Sequence, residues 1–190
     1  MSDNTREKMV AGAATLLSQR GLQGTSFSEV LELTDTPRGS IYHHFPGCKN
    51  QLVADAVGLL GDVVSQRIRS AEVERPEDVA NAFADGWRDF VEATDFTAVC
   101  AISAVTVGAG ADAEELLPAV ASAFTAWRGA LAEAYESTGL TGEESNSLAL
   151  TTVAALEGAL ILARAQQSME PFDAVQTYLA ELARTLGRRD

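Results

Sequence analysis

Apolar residues recur at intervals of three and four through nearly the whole chain, and no convincing run alternates in the two-residue rhythm of a strand. Stripes of that period are buried only by packing helix on helix, so the sequence predicts an all-α fold of about nine helices. Met9, Ala13, Leu16 and Leu17 mark the first helix, which should stop at Gly21. Thr25 and Ser26 offer caps to a short second helix, SFSEVLEL, with Phe27, Val30 and Leu31 on one face. After a turn at Thr34 and Asp35, Thr36 reads as the N-cap and Pro37 as the first residue of a third helix. A proline there gives up an N–H that has no helical partner anyway. Pro46 and Gly47 end this helix at about Phe45.

Longer helices follow. One runs from Lys49 to about Ser70, and the next opens at Pro76 with Val79, Phe83, Trp87, Phe90 and Val91 along one stripe. From Phe96 to about Val107 the chain is so apolar that a buried helix is expected. Pro118 to Tyr135 carries Phe124, Trp127 and Leu131, and helices from Glu143 to Ser168 and from Pro171 to Leu186 close the chain. Repeats, low-complexity tracts and long linkers are absent from the sequence.

The segment TDTPRGSIYHHFPGCK, Thr34 to Lys49, holds both histidines of the chain. Three helices with short links, the second and third joined by a tight turn, form a helix-turn-helix, whose third helix enters the major groove of DNA by its N-terminal residues. The residue types suit that task. Arg38 carries a bidentate fork for guanine, Gly39 and Ser40 allow close backbone approach, and Tyr42 and His43 bring planar groups with polar tips. Ile41 and Phe45 share the opposite face as core anchors. Lys49, with Thr25 and Ser26, is placed for phosphate contact. Metal binding by His43 and His44 is disfavoured, because adjacent helical residues diverge by about 100° and no third ligand stands nearby. Cys48, next to Lys49 near a helix start, reads as a tolerated small residue more readily than as a redox sensor.

Charge separates the chain into two parts. Arg6, Lys8, Arg20, Arg38 and Lys49 balance Asp3, Glu7, Glu29, Glu32 and Asp35, leaving the remainder with the whole net charge of −13. Broad non-specific attraction to nucleic acid needs a basic face, so this balance favours a small neutral reading head on an acidic body. The sequence has no GxSxG, P-loop, HExxH or GxGxxG pattern, and no enzyme, cofactor or metal is expected. Its longest apolar runs fall short of the ~20 residues of a membrane span, and the first residues lack a signal-peptide core, which reads as cytoplasmic. Two cysteines outside any CxxC or zinc spacing are expected to be reduced.

The stretch TSFSEVLELTDTPRGSIYHHFPGCKNQLVADAV resembles the DNA-binding domain of the tetracycline-repressor (TetR) family. Its Gly39, Ser40, Ile41, Tyr42, His44, Phe45 and Lys49 follow that family's pattern, and TPRGSIYHHFPG with ALEGALILARAQ is most similar to the LmrA/YxaF-type branch. It departs at Cys48, where the branch usually has glycine or a polar residue, and at AVCAIS, which lacks the proline that often follows the corresponding cysteine. The DNA-binding residues so implied are Thr25, Ser26, Thr36, Pro37, Arg38, Gly39, Ser40, Tyr42, His43, His44 and Lys49. The resemblance implies a DNA-binding domain at 1–48 and a ligand-binding and dimerisation domain at 49–190, acting as a homodimer on a palindromic operator. It implies a repressor released by a small apolar or amphipathic molecule; the alternative is a regulator without such a ligand, constitutive, partner-controlled or thiol-responsive. Candidate ligand residues are Phe83, Trp87, Phe90, Cys100, Phe124, Trp127, Leu131 and Glu157, although each aromatic also suits a core and Glu157 equally suits a solvated edge. Candidate dimer residues are Leu156, Ala159, Leu160, Val175, Tyr178, Leu179 and Leu182.

Overall fold

The computed structural model describes residues 2–188, and every regular element among them is helical. In chain order these are α1 (Ser2–Arg20), α2 (Phe27–Thr34), α3 (Arg38–His44), α4 (Cys48–Ser70), α5 (Pro76–Ala93) and α6 (Ala101–Gly108). A 3-10 turn (Ala111–Leu116) leads to α7 (Leu117–Ser137), α8 (Gly142–Gln166) and α9 (Glu170–Leu186). The all-α expectation holds.

The helix ends follow local chemistry. Gly21, at φ 68°, ends α1 in the left-handed conformation that glycine adopts without strain. At α2 the Ser26 hydroxyl accepts the Glu29 N–H at 3.3 Å and donates to the Glu29 carboxylate at 2.9 Å. Thr141 and Glu144 cap α8 reciprocally, with the Glu144 carboxylate accepting the Thr141 N–H at 3.1 Å.

Two expected starts are displaced. At α3, Pro37 stands at the cap position with ψ 139°, and helical geometry begins at Arg38. Thr36 caps nothing: its hydroxyl pairs with that of Thr34 at 2.8 Å and its N–H donates to the Leu31 carbonyl. The helix expected from Phe96 begins at Ala101, because Asp95 and Phe96 both adopt positive φ and the Phe96 N–H turns back onto the Val91 carbonyl. Nor is α6 buried all round. Ala101, Ile102 and Val105 face inward while Val107 is 85% exposed.

The chain forms two compact units, one running up to Asp62 together with Cys100–Phe124, the other Val63–Val99 together with the chain from Thr125. They therefore divide differently from the 1–48 and 49–190 split expected from sequence. Helices α4 and α7 each run on through a division, and α6 packs on α1 within the first unit. That unit is built around Met9, Leu17, Val30, Ile41, Phe45, Leu52 and Ile102. The second is built around Trp127, Leu131, Tyr135, Leu156 and Phe172, with α9 packed on both α5 and α8. By length and mean hydropathy α8 would also suit a membrane span, but it is partly buried in this unit and meets α9 along its length.

Candidate nucleic-acid interface

Helix α3 is only seven residues long and has one buried residue of its own, Ile41, 1% exposed; Phe45, just past its end, is fully buried. These two anchors fix which way the helix faces. Pro37, Arg38, Gly39, Tyr42 and His43 are exposed, and Ser40 and His44 are half-buried. The Ser40 hydroxyl folds back onto the Pro37 carbonyl at 2.5 Å, tightening the first turn and leaving the Gly39 surface open. Tyr42, 71% exposed, is held edge-to-face against Phe27 of α2 at 6.0 Å between ring centres. The structure thus brings Arg38, Gly39, Tyr42 and His43 to one surface.

The expected phosphate contacts fare unevenly. Thr25 is 1% exposed and its hydroxyl donates to the Gly21 carbonyl at 2.8 Å, so it seals the end of α1 and offers nothing outward. The β-turn-like return from Gly21 puts that oxygen within its reach, which no local pattern foretells. Ser26 is half-buried and occupied with Glu29. Lys49 is half-buried, and its ammonium donates to the Leu22 carbonyl at 2.7 Å. Burial lowers the Lys49 pKa while nearby Glu29 pulls it back upward. Glu29 itself is held below the usual carboxylate range, first by the Ser26 hydroxyl and then by Arg20, whose guanidinium donates to it at 2.8 Å. Lys49 and Glu29 thereby brace the loop that leads into α2.

Sequence reasoning overlooked one support of this surface. Arg6 of α1 pairs with Asp55 of α4 at 2.6 Å and lies over the Phe45 ring at 5.4 Å, tying three helices at the end of α3. Its partner lies 49 residues away, beyond any local pattern. Cys48 is exposed and adopts φ 73°, which explains why glycine would suit the position. Among the described residues no group of three His, Cys, Asp or Glu side chains could hold a metal ion.

The candidate ligand residues are divided between the two units. In the second unit Phe83, Trp87, Phe90 and Trp127 meet edge-to-face, with Trp87 lying 5.7–6.3 Å from the other three. Leu131 is fully buried in that unit and Glu157 is half-buried, whereas Cys100 and Phe124 belong to the first unit. The candidate dimer residues also divide. Leu156, Ala159, Leu160 and Leu179 are buried in their own unit at 0–4% exposure, so they form its core. Tyr178, 78% exposed, and Leu182, 40% exposed, point outward, and Val175 is intermediate. The outward apolar residues of α8 are instead Leu150, Ile161 and Leu162. A sequence stripe marks the strongest apolar face, and in α8 that face is used for the chain's own core.

Residues 9–56 match the family described as bacterial regulatory proteins, tetR family, and residues 76–178 match the C-terminal domain described as transcriptional regulator LmrA/YxaF-like. The chain is 37% identical over 182 residues to an uncharacterised HTH-type transcriptional regulator of Mycobacterium tuberculosis, covering 93% of each. It is 25% identical over 186 residues to the HTH-type transcriptional regulator LmrA of Bacillus subtilis, covering 94% of this chain and 96% of that one. Among solved structures, a TetR transcriptional regulator from Chloroflexus aurantiacus superposes with a TM-score of 0.75 at 28% identity, covering 95% of this chain and 94% of the other. The regulatory protein TetR from Rhodobacter sphaeroides reaches 0.80 at 16% identity, covering 92% and 96%, a likeness of fold.

Proposed function

Since this chain belongs to the TetR family of bacterial transcriptional regulators, in its LmrA/YxaF-like branch, we propose that it is a ligand-responsive repressor that binds a palindromic operator as a homodimer in the cytoplasm. It is a regulator and not an enzyme. The observation that carries the DNA-reading assignment is the exposed surface of Arg38, Gly39, Tyr42 and His43, braced from behind by buried Ile41 and Phe45. A guanidinium at the first residue of the recognition helix suits a bidentate contact to guanine, and Tyr42, fixed against Phe27, reaches a base or phosphate with little entropy left to lose. A two-fold assembly presents two such helices to half-sites one turn of DNA apart, or multiples of it.

Release of the operator is a population shift. A small apolar or amphipathic effector that prefers the non-binding state by ~1.4 kcal/mol lowers operator affinity about tenfold. The candidate contact is the aromatic group around Trp87, of which Trp87 and Phe90 are half-buried and therefore reachable while Phe83 and Trp127 are buried. A second reading is favoured by the packing of that same group: its rings already fill one another's edges, as in a body that serves only for dimerisation. Selection of bound sequences from a random duplex pool, repeated with Arg38→Ala and Tyr42→Ala, tests the assignment. A palindromic consensus lost in both variants is the expected result; no enrichment overturns it. Titration of the selected operator complex with amphipathic compounds then separates the two readings, since only the first predicts release.

A further inference from the structure

Residues 1–50 carry five cations, and three of them are engaged within the protein. Arg6 pairs with Asp55, Lys49 donates to the Leu22 carbonyl, and Arg20 donates to the Glu29 carboxylate at 2.8 Å. Lys8 and Arg38 are exposed and have no ion pair among the described residues. The Arg20 pair stands beside the reading surface. Glu29 lies in the first turn of α2, whose opening residue, Phe27, touches Tyr42. Two donors fix the Glu29 carboxylate there: one oxygen accepts from the Arg20 guanidinium and the other from the Ser26 hydroxyl at 2.9 Å. A carboxylate held in this way is a preformed partner for the guanidinium, and a DNA phosphate would have to replace it.

Resting on the DNA-reading assignment above, we propose that Glu29 is a specificity-determining residue: its carboxylate withholds Arg20 from the DNA backbone and leaves Arg38 to govern binding. A cation on a flexible stem adds a phosphate contact in every register the head can take on random duplex, since each register offers phosphates and none requires a particular base. On the operator, base contacts hold the head in one pose, and such a cation adds only where a phosphate lies within reach of that pose. An unrestrained Arg20 therefore strengthens random binding more than operator binding. Glu29 opposes this twice, by engaging the guanidinium and by setting a negative charge against phosphate. Glu32, exposed on the same helix and without an ion pair among the described residues, supplies the second effect without the first.

Anisotropy titrations of the full chain on the selected operator and on random duplex, over a salt series, test this with Glu29→Gln, Glu32→Gln, and Glu29→Gln combined with Arg20→Gln. Glutamine preserves the reciprocal cap between position 29 and Ser26, so α2 keeps its start. Glu29→Gln should tighten random duplex about fivefold at low salt, steepen its salt dependence by about one phosphate contact, and tighten the operator less than about twofold. Glu32→Gln should leave the salt dependence unchanged. Adding Arg20→Gln to Glu29→Gln should return both duplexes to wild-type affinity, because the freed cation is gone. Equal tightening of the two duplexes, the same response from Glu32→Gln, or a gain that survives the loss of Arg20 overturns the proposal and leaves the DNA-reading assignment standing. Unchanged or weakened binding to random duplex by Glu29→Gln does the same and marks Glu29 as a brace of the fold only. A wild-type chain that enriches no sequence removes both.

Discussion

The proposed base contact rests on one exposed guanidinium, that of Arg38 at the start of α3. Arg38→Ala should cost about 1–3 kcal/mol against the selected operator and far less against random duplex, measured as paired anisotropy titrations at one salt concentration. Tyr135 shows the opposite extreme, a polar group sealed in a core. It is fully buried, its hydroxyl pairs with that of Thr152 at 3.0 Å, and burial pushes its pKa up to about 12. The folded chain keeps this proton where the unfolded chain gives it up. Stability is therefore unaffected below about pH 10 and falls as pH rises from there towards 12, by roughly 2 kcal/mol from this group. Urea denaturation across that range should show a shallower alkaline decline for Tyr135→Phe, even though the variant is less stable at neutral pH. Glu29 acts at the acid end. Its pKa is lowered on folding, so it stabilises above its unfolded value and loses that contribution as pH falls through the folded one. Glu29→Gln should flatten the acid limb of a melting-temperature profile.

At the scale of elements, two helix glycines make contrasting contacts. A Cβ at Gly61 on α4 would lie 3.0 Å from the Ala123 Cβ and 3.2 Å from its Cα on α7, so backbone would have to move. A Cβ at Gly86 on α5 would meet the Arg67 guanidinium at 3.1–3.4 Å, the far end of a flexible side chain. Gly61→Ala should destabilise by about 1–3 kcal/mol, as overpacking does. Gly86→Ala should be neutral or stabilising by up to ~1 kcal/mol, because helix propensity outweighs an exposed Arg67–Asp89 pair. Chemical denaturation of the two variants reads the difference directly. The elements themselves were largely legible: the stops at Gly21, Pro46 and Gly139 fall between helices, and Gly142 opens α8. The start of α6 was not. An apolar run has the same composition whether it is helical or extended, and the left-handed pair Asp95–Phe96 carries no glycine to announce it.

For the whole molecule, the net charge of −13 sets how the reading head meets DNA. An acidic body repels phosphate, so affinity for random duplex at physiological salt should lie near the weak end of non-specific binding, about 10⁻⁴ M. Operator binding should exceed it by a wide margin, and comparing the two across a salt series checks this. A chain that bound random DNA in the nanomolar range would contradict it.

Sequence alone determined the all-helical fold, the helix-turn-helix and the outward set Arg38, Tyr42 and His43, because these depend on periodicity, capping and turn chemistry within a few residues. Tertiary structure decided the rest. It turned Thr25 inward, engaged Lys49 with Leu22, set Arg6 over Phe45, and assigned Leu156 and Leu160 to the subunit's own core while leaving Leu150 and Ile161 outside. Each of those outcomes depends on which face meets a helix distant in sequence, and side-chain periodicity names a face without naming its partner.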